Sequence, residues 1–241
     1  MVGDTQDFDL GPGDSLHGLD DADIDAAVNA ATFGAFANSG QICMSTERFV
    51  VDNKVADEFI AKFAAKARSL PLGDPRKGPV VLGSVVDLAT VERCNAMIDD
   101  ALAKGAKLVC GGKAESTLMP ATLIDHVTPA MRIFHEESFG PVKGIVRVNG
   151  EEEAIATAND NEFGLSSAVF TRDTARGWRV AARIEAGICH INGPTVHDEA
   201  QMPFGGVKAS GYGHFGGQQG INAFTETRWV TMQTSERHYP F

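Results

Sequence analysis

The sequence predicts an α/β fold, an open and mostly parallel sheet covered by helices on both faces. Two observations carry this. Helical stretches alternate with short Val- and Ile-rich strands along most of the chain, and no internal repeat or low-complexity tract interrupts the alternation. Parallel strands joined by helices are expected to cross over right-handedly.

The elements follow in order. After an irregular Gly- and Asp-rich opening, a helical pattern settles at Leu19. "DDADIDAAVNAATFGAFAN" places its acids in the first turn, where they complement the helix dipole, and Ile24, Ala27, Val28, Ala31 and Phe36 at helical spacing. Gly40 supplies the stop signal. "RFVVD" reads as a short buried strand, and "KVADEFIAKFAAKARSL" as an amphipathic helix ended by Pro71. Next come helix "DLATVERCNAMIDDALAKGA", strand "KLVCGG", a β segment around "MPATLIDHV" and strand "VKGIVRV". Helix "EEEAIATAND", strand "SSAVFT", helix "TARGWRVAARIEA" and strand "GICHIN" complete the alternation. From Pro203 the chain turns glycine-rich, "PFGGVKASGYGHFGGQQG", before a last strand, "RWVTMQ", and a polar tail.

A length of 241 residues permits one large domain or two small ones, with enough material for a packed core. Hydrophobic residues at 43% and charged residues at 22% are ordinary for a soluble globular protein. No apolar run approaches the roughly 18 residues of a membrane span, and the acidic opening lacks the basic and apolar regions of a signal peptide. Cytoplasmic residence is the expectation. A net charge of -11 argues against a nucleic-acid or anionic-membrane partner, because like charges repel. The four cysteines, Cys43, Cys94, Cys110 and Cys189, are scattered without a CxxC pair, so reduced thiols are expected rather than disulfides or structural zinc.

Cys43, in "NSGQICMSTER", stands on a connection between a helix and a strand, where α/β sheets place reactive groups. A thiolate there can attack a carbonyl carbon. The bland alternative is a small buried hydrophobe, and Cys94, Cys110 and Cys189, on a helix face or in strands, keep that reading. "FHEESFGPV" sets two carboxylates beside an aromatic and a Gly-Pro turn, either a solvated acidic turn or a receiver of ligand hydroxyls. "GYGHFGG" contains a literal G-x-G-x-x-G but follows a glycine-rich loop rather than a strand, so a dinucleotide-phosphate role is not expected. His190 and His197 lack the spacing of a helical zinc site, and no metal is expected.

Three of these motifs carry a resemblance. From Leu19 onward the sequence resembles the C-terminal, catalytic portion of the aldehyde dehydrogenase superfamily: "GQIC" resembles its nucleophile motif, "EESFGP" its Glu-x-Phe-Gly-Pro motif, and "PFGGVKASG" its glycine-rich motif. "GQICMSTER" and the ending "RHYPF" are similar to the vanillin and salicylaldehyde dehydrogenase branch. The resemblance implies NAD- or NADP-dependent oxidation of an aldehyde, of aromatic type, to its carboxylic acid. It implies Cys43 as nucleophile, Glu137 holding the nicotinamide ribose, Phe139 packing near the ring, and Phe204 lining the aldehyde pocket. The general-base position falls on Asp9, in "DLGPG", thirty-four residues before Cys43. The family has glutamate there; a carboxylate one methylene shorter is drawn back by about 1.5 Å, and a misplacement of about 1 Å can lower a rate about a hundredfold.

The resemblance divides the chain into a divergent lead segment, residues 1–18, which need not be ordered; a catalytic domain, 19–212; and a tail with an oligomerisation-type strand, 213–241. The family's Rossmann-type cofactor domain has no counterpart in this sequence, so turnover by this chain alone is not expected. Its expected partners are the small-molecule aldehyde and further copies of itself or full-length relatives. Two rival functions are a cofactor-independent cysteine esterase or thioesterase, and a catalytically silent module associating with intact dehydrogenases.

Overall fold

A computed structural model describes residues 15–241. The elements run β1 (Ser15–Gly18), α1 (Ile24–Phe36), β2 (Arg48–Asp52), α2 (Asn53–Arg68), α3 (Leu88–Ala103), β3 (Lys107–Cys110), β4 (Thr122–Asp125), α4 (Arg132–His135) and β5 (Val142–Val148). They continue with α5 (Glu151–Asn159), β6 (Phe163–Gly164), β7 (Ser166–Phe170), α6 (Thr174–Ala181), β8 (Ile188–Ile191), β9 (Val207–Lys208) and α7 (Gly217–Ala223). A seven-stranded sheet has the order β3-β4-β5-β2-β1-β7-β8, and every pairing in it is parallel except β3 with β4. β6 and β9 form a separate antiparallel ribbon.

Alternate residues of the central strands feed opposite cores, as the two-residue period of a strand requires. Phe49, Val51, Ile145, Ala168 and Phe170 pack with α1 and α2 on one face. Phe63 of α2 meets Phe49 edge-on there, with ring centroids 4.9 Å apart, and burying a ring of this size contributes about 2–3 kcal/mol. On the other face Val50, Ile124, Val142 and Val146 pack with α3, while Val169 joins Ile155 of α5 and Val180 of α6. Aspartate caps four helices: Asp23, Asp52, Asp87 and Asp173 accept from the backbone N–H of Ala26, Lys54, Thr90 and Arg176, each bond being worth about 1 kcal/mol.

The structure corrects the expected lead segment. Ser15–Gly18 is a strand near the middle of the sheet, paired with β2 on one side and β7 on the other. Four residues without a β-branched side chain give no pattern to read; the strand exists because two long neighbours flank it. Its exit is fixed by Arg176, which reaches Asp20 at 2.7 Å and Glu151 at 2.7 Å. Hydrogen bonds from Lys54 and Arg176 hold the Asp20 carboxyl down to about 2. Residues 1–14 lie outside the described residues.

The expected last strand, "RWVTMQ", is corrected as well: residues 225–241 form no helix or strand, and Trp229, Val230 and Met232 are exposed. A strand is defined by its hydrogen-bonded neighbour, and among the described residues no segment pairs with this one. Helix α1 also ends at Phe36, before Gly40, and α6 is shorter than its apolar pattern. The short α4, β6, β9 and α7 had no signal in the sequence. "GYGHFGG" bridges back to Phe204 through Phe215 and runs into α7, with no βαβ unit around it. Among the described residues no helix is long and apolar enough to cross a membrane.

Candidate active site

Helix α1 does not simply stop before Cys43; it reverses hand. Asn38 and Ser39 take φ of 50° and 58°, and Gly40 takes 76°. Asparagine tolerates the left-handed region and glycine enters it freely, while serine requires support. That support is present. Ser39 Oγ accepts from the Gly83 N–H at 3.1 Å, and the side chains of Asn38 and Gln41 each donate to the other's carbonyl at 3.1 Å. Gln41 Oε1 accepts from the Val86 N–H at 2.8 Å.

Cys43 follows in a turn, half-buried, and the residues after it are pinned. The Met44 carbonyl accepts from the Thr195 hydroxyl at 2.8 Å, and Ser45 Oγ donates to the Gly34 carbonyl at 3.0 Å. Thr46 and Thr195 hydroxyls lie 2.8 Å apart. Gly34 admits this packing, since a Cβ there would stand 2.6 Å from Thr46 Oγ1. The other three thiols sit in regular elements as expected, Cys94 in α3, Cys110 in β3 and Cys189 in β8. Burial pushes Cys94 up to about 11 and raises Cys110 and Cys189 as well.

The Glu137–Phe139 turn leads into β5 just as the Cys43 loop leads into β2, and these strands are parallel neighbours. Both motifs therefore reach the same edge of the sheet, at the amino ends of its strands. This corrects the analogy with doubly wound sheets, whose sites lie at the carboxyl ends; Cys43 and Glu137 both precede their strands. The loops touch directly, because a Cβ on Gly40 would lie 2.3 Å from the Gly140 carbonyl oxygen.

The two carboxylates of "HEES" are told apart. Glu136 takes a bidentate pair from Arg132 at 2.7 and 2.6 Å, which lowers its carboxyl. Both glutamates line a cavity of about 590 Å³, together with Asp87, Glu162, Arg93 and Phe139, the last at a φ of 43°. The sequence reading missed Arg93, whose guanidinium donates to the Ser138 carbonyl at 3.0 Å; on a helix surface it carries no local signal. Phe204 lies apart, lining a cavity of about 330 Å³ with Cys189, His190, His197 and Met202. Cys43 lines neither cavity. The two histidine rings meet perpendicularly at 5.2 Å, and among the described residues no three side chains are grouped to hold a metal ion. Asp9 lies outside the described residues.

The described residues form a mostly parallel α/β domain in which the loop carrying half-buried Cys43 packs, through Gly40, against the turn carrying Glu137 and Phe139, beside a polar cavity. The sequence matches the aldehyde dehydrogenase family over residues 7–230, and the chain belongs to that family. It is 59% identical over 233 residues to vanillin dehydrogenase of Pseudomonas fluorescens, an alignment covering 97% of this chain and 48% of that protein. The crystal structure of a salicylaldehyde dehydrogenase from Pseudomonas putida G7 complexed with salicylaldehyde superposes with a TM-score of 0.90 at 53% identity, covering 96% of this chain and 48% of that one. The NADP complex of an NADP-dependent glyceraldehyde-3-phosphate dehydrogenase from Bacillus halodurans C-125 gives 0.83 at 38% identity, covering 87% and 44%. The chain spans about half the length of the curated relatives it matches.

Proposed function

We propose that this chain supplies the nucleophile and part of the nicotinamide site for oxidation of an aromatic aldehyde to its carboxylic acid. The observation that carries the reading is the contact of Gly40 with Gly140, which joins the Cys43 loop to the Glu137–Phe139 turn.

In this reading the Cys43 sulfur adds to the aldehyde carbon, forming a C–S bond and leaving the carbonyl electron pair on oxygen. The Cys43 backbone N–H stabilises that oxyanion. Loss of hydride from the carbon leaves a thioester, which water cleaves to the acid and the free thiol, with Asp9 as the base for that water. NAD or NADP, when bound, supplies the hydride acceptor. The residues fit such a group: the cavity beside Glu137 and Phe139 is large enough for a nicotinamide riboside, its acidic lining of Asp87, Glu136, Glu137 and Glu162 offers carboxylates to ribose hydroxyls, and Phe139 is a ring to pack near the nicotinamide. Phe204 borders the aldehyde pocket. The identity to vanillin and salicylaldehyde dehydrogenases supports an aromatic substrate. Self-association or pairing with a full-length relative belongs to the proposal, since among the described residues no strand pairs with the outer side of β8; the setting proposed is the cytoplasm, where the thiols stay reduced.

The reading is tested by substrate protection. Benzaldehyde, vanillin or salicylaldehyde should slow iodoacetamide alkylation of Cys43 in a saturable way, through reversible thiohemiacetal formation, while the matching carboxylic acids should not. An alkylation rate indifferent to all three aldehydes would rule the reading out.

A further inference from the structure

Cys43 and Glu137 stand on separate loops, and one buried carboxylate reaches from the first to the second. Glu47, four residues beyond Cys43, accepts from Lys143 Nζ at 2.6 Å through Oε1. Its Oε2 accepts from the Ser138 hydroxyl at 2.7 Å and from the Ser138 N–H at 3.2 Å. Lys143 and Ser138 are fully buried and Glu47 nearly so. Ser138 is the residue between Glu137 and Phe139, and its other groups are committed too. Its Oγ accepts from the Gly140 N–H at 3.2 Å, and its carbonyl accepts from Arg93.

Packing does not account for the two charges. An apolar pair of the same volume often serves a core as well or better, because a buried ion pair must recover the desolvation of both partners. Phe139 offers another reason for them. A bulky residue at a φ of 43° persists only where its surroundings over-determine it, and the bonds to Ser138 provide that constraint.

We infer that Glu47 is a positioning residue: acting through Ser138, with Lys143 behind it, its carboxylate sets the register between the Cys43 loop and the turn carrying Glu137 and Phe139. The inference rests on the roles of Cys43 and Glu137 proposed above.

The test compares two near-isosteric variants of the whole chain, Glu47→Gln/Lys143→Met and Glu47→Leu/Lys143→Met. Both remove the charges, and only the first keeps an acceptor for Ser138. The readout is the rate of iodoacetamide alkylation at Cys43, followed peptide by peptide in a mass spectrometer. The Gln variant is expected to keep the parent rate. The Leu variant is expected to raise it about tenfold, because a loop that has lost its register opens locally more often and exposes the half-buried thiol. Ser138→Ala is expected to raise it likewise, and carries the test if the double variants do not fold. Val180→Ala, which opens a cavity in the separate cluster with Leu19, Ile155 and Val169, measures the effect of general destabilisation. Equal rates in the Gln and Leu variants, an unchanged rate in Ser138→Ala, or an equal rise in Val180→Ala overturns the inference. Failure of the underlying reading looks different, since the parent itself would then show no aldehyde protection.

Discussion

Gly40 and Gly140 meet backbone to backbone. A Cβ on Gly40 would stand 2.3 Å from the Gly140 carbonyl oxygen and 2.8 Å from its carbon, while Gly40 itself holds a φ of +76°. Neither atom it would strike belongs to a flexible side chain, so any substitution must move one of the loops.

Gly40→Ala is therefore expected to destabilise the fold by at least about 2 kcal/mol, combining left-handed strain with the collision. Urea unfolding measures this directly. A loss below about 0.5 kcal/mol, the range of an ordinary surface change, would show that the two loops are not tightly apposed.

Cys43 is expected to be alkylated first among the four thiols near pH 8. Burial holds Cys94, Cys110 and Cys189 protonated there, and the thiolate is the reactive form. Cys94, which burial pushes up to about 11, should become reactive only as the pH is raised toward that value. Equal labelling of all four in the folded protein contradicts the assignment of Cys43.

His17 should make the fold sensitive to mild acid. Burial, with the nearby Arg48 charge second, depresses its imidazole from 6.5 to about 3. The unfolded chain takes up a proton as pH falls through 6.5 and the native state does not, so stability is complete above 6.5 and declines below it. The limiting slope is about 1.4 kcal/mol per pH unit. Half-buried His190, also depressed by burial, adds in the same direction. Urea midpoints between pH 7 and 4.5 should fall less steeply in His17→Gln; parallel curves for the two proteins would refute the assignment.

A polypeptide of these 241 residues is expected to bind NAD or NADP more weakly than micromolar and to form no NADH from an aldehyde alone. A hydrogen bond from a ribose hydroxyl to the Glu137 carboxylate contributes about 1.5–3 kcal/mol, and two fall short of the about 8 kcal/mol of a micromolar complex. Among the described residues no glycine-rich turn stands between a strand and a helix of a βαβ unit to receive a pyrophosphate, and "GYGHFGG" bridges to Phe204 instead. Titration calorimetry decides the matter: micromolar binding would require another nucleotide site.

The sheet was legible where short runs carry β-branched or aromatic residues between turn signals: β2, β5 and β7 announce themselves, and so do the amphipathic α2 and α3. β1 was not, because "SLHG" owes its strand to β2 and β7 rather than to its own residues. "RWVTMQ" failed the opposite way, having strand-like residues and no neighbour. At the candidate site the motifs marked Cys43, Glu137, Phe139 and Phe204, but not which of them meet. That depended on β2 and β5 being parallel neighbours, and on Glu47, Lys143 and Arg93. Charged residues in core-facing or helical positions read in sequence as solvated surface, and only tertiary structure reveals their partners.

β1 also bears on how the chain is made. It pairs with β2 about thirty residues later and with β7 about one hundred and fifty residues later. During vectorial synthesis at roughly 5–20 residues per second, its second flank stays unpaired for on the order of ten seconds. Throughout that interval the nascent sheet presents an uncovered strand edge beside Leu19, the situation in which chaperone capture competes with misassociation. The slow event in the biogenesis of this fold is the arrival of β7, and ribosome pausing before residue 166 should depress the soluble yield more than pausing before residue 48.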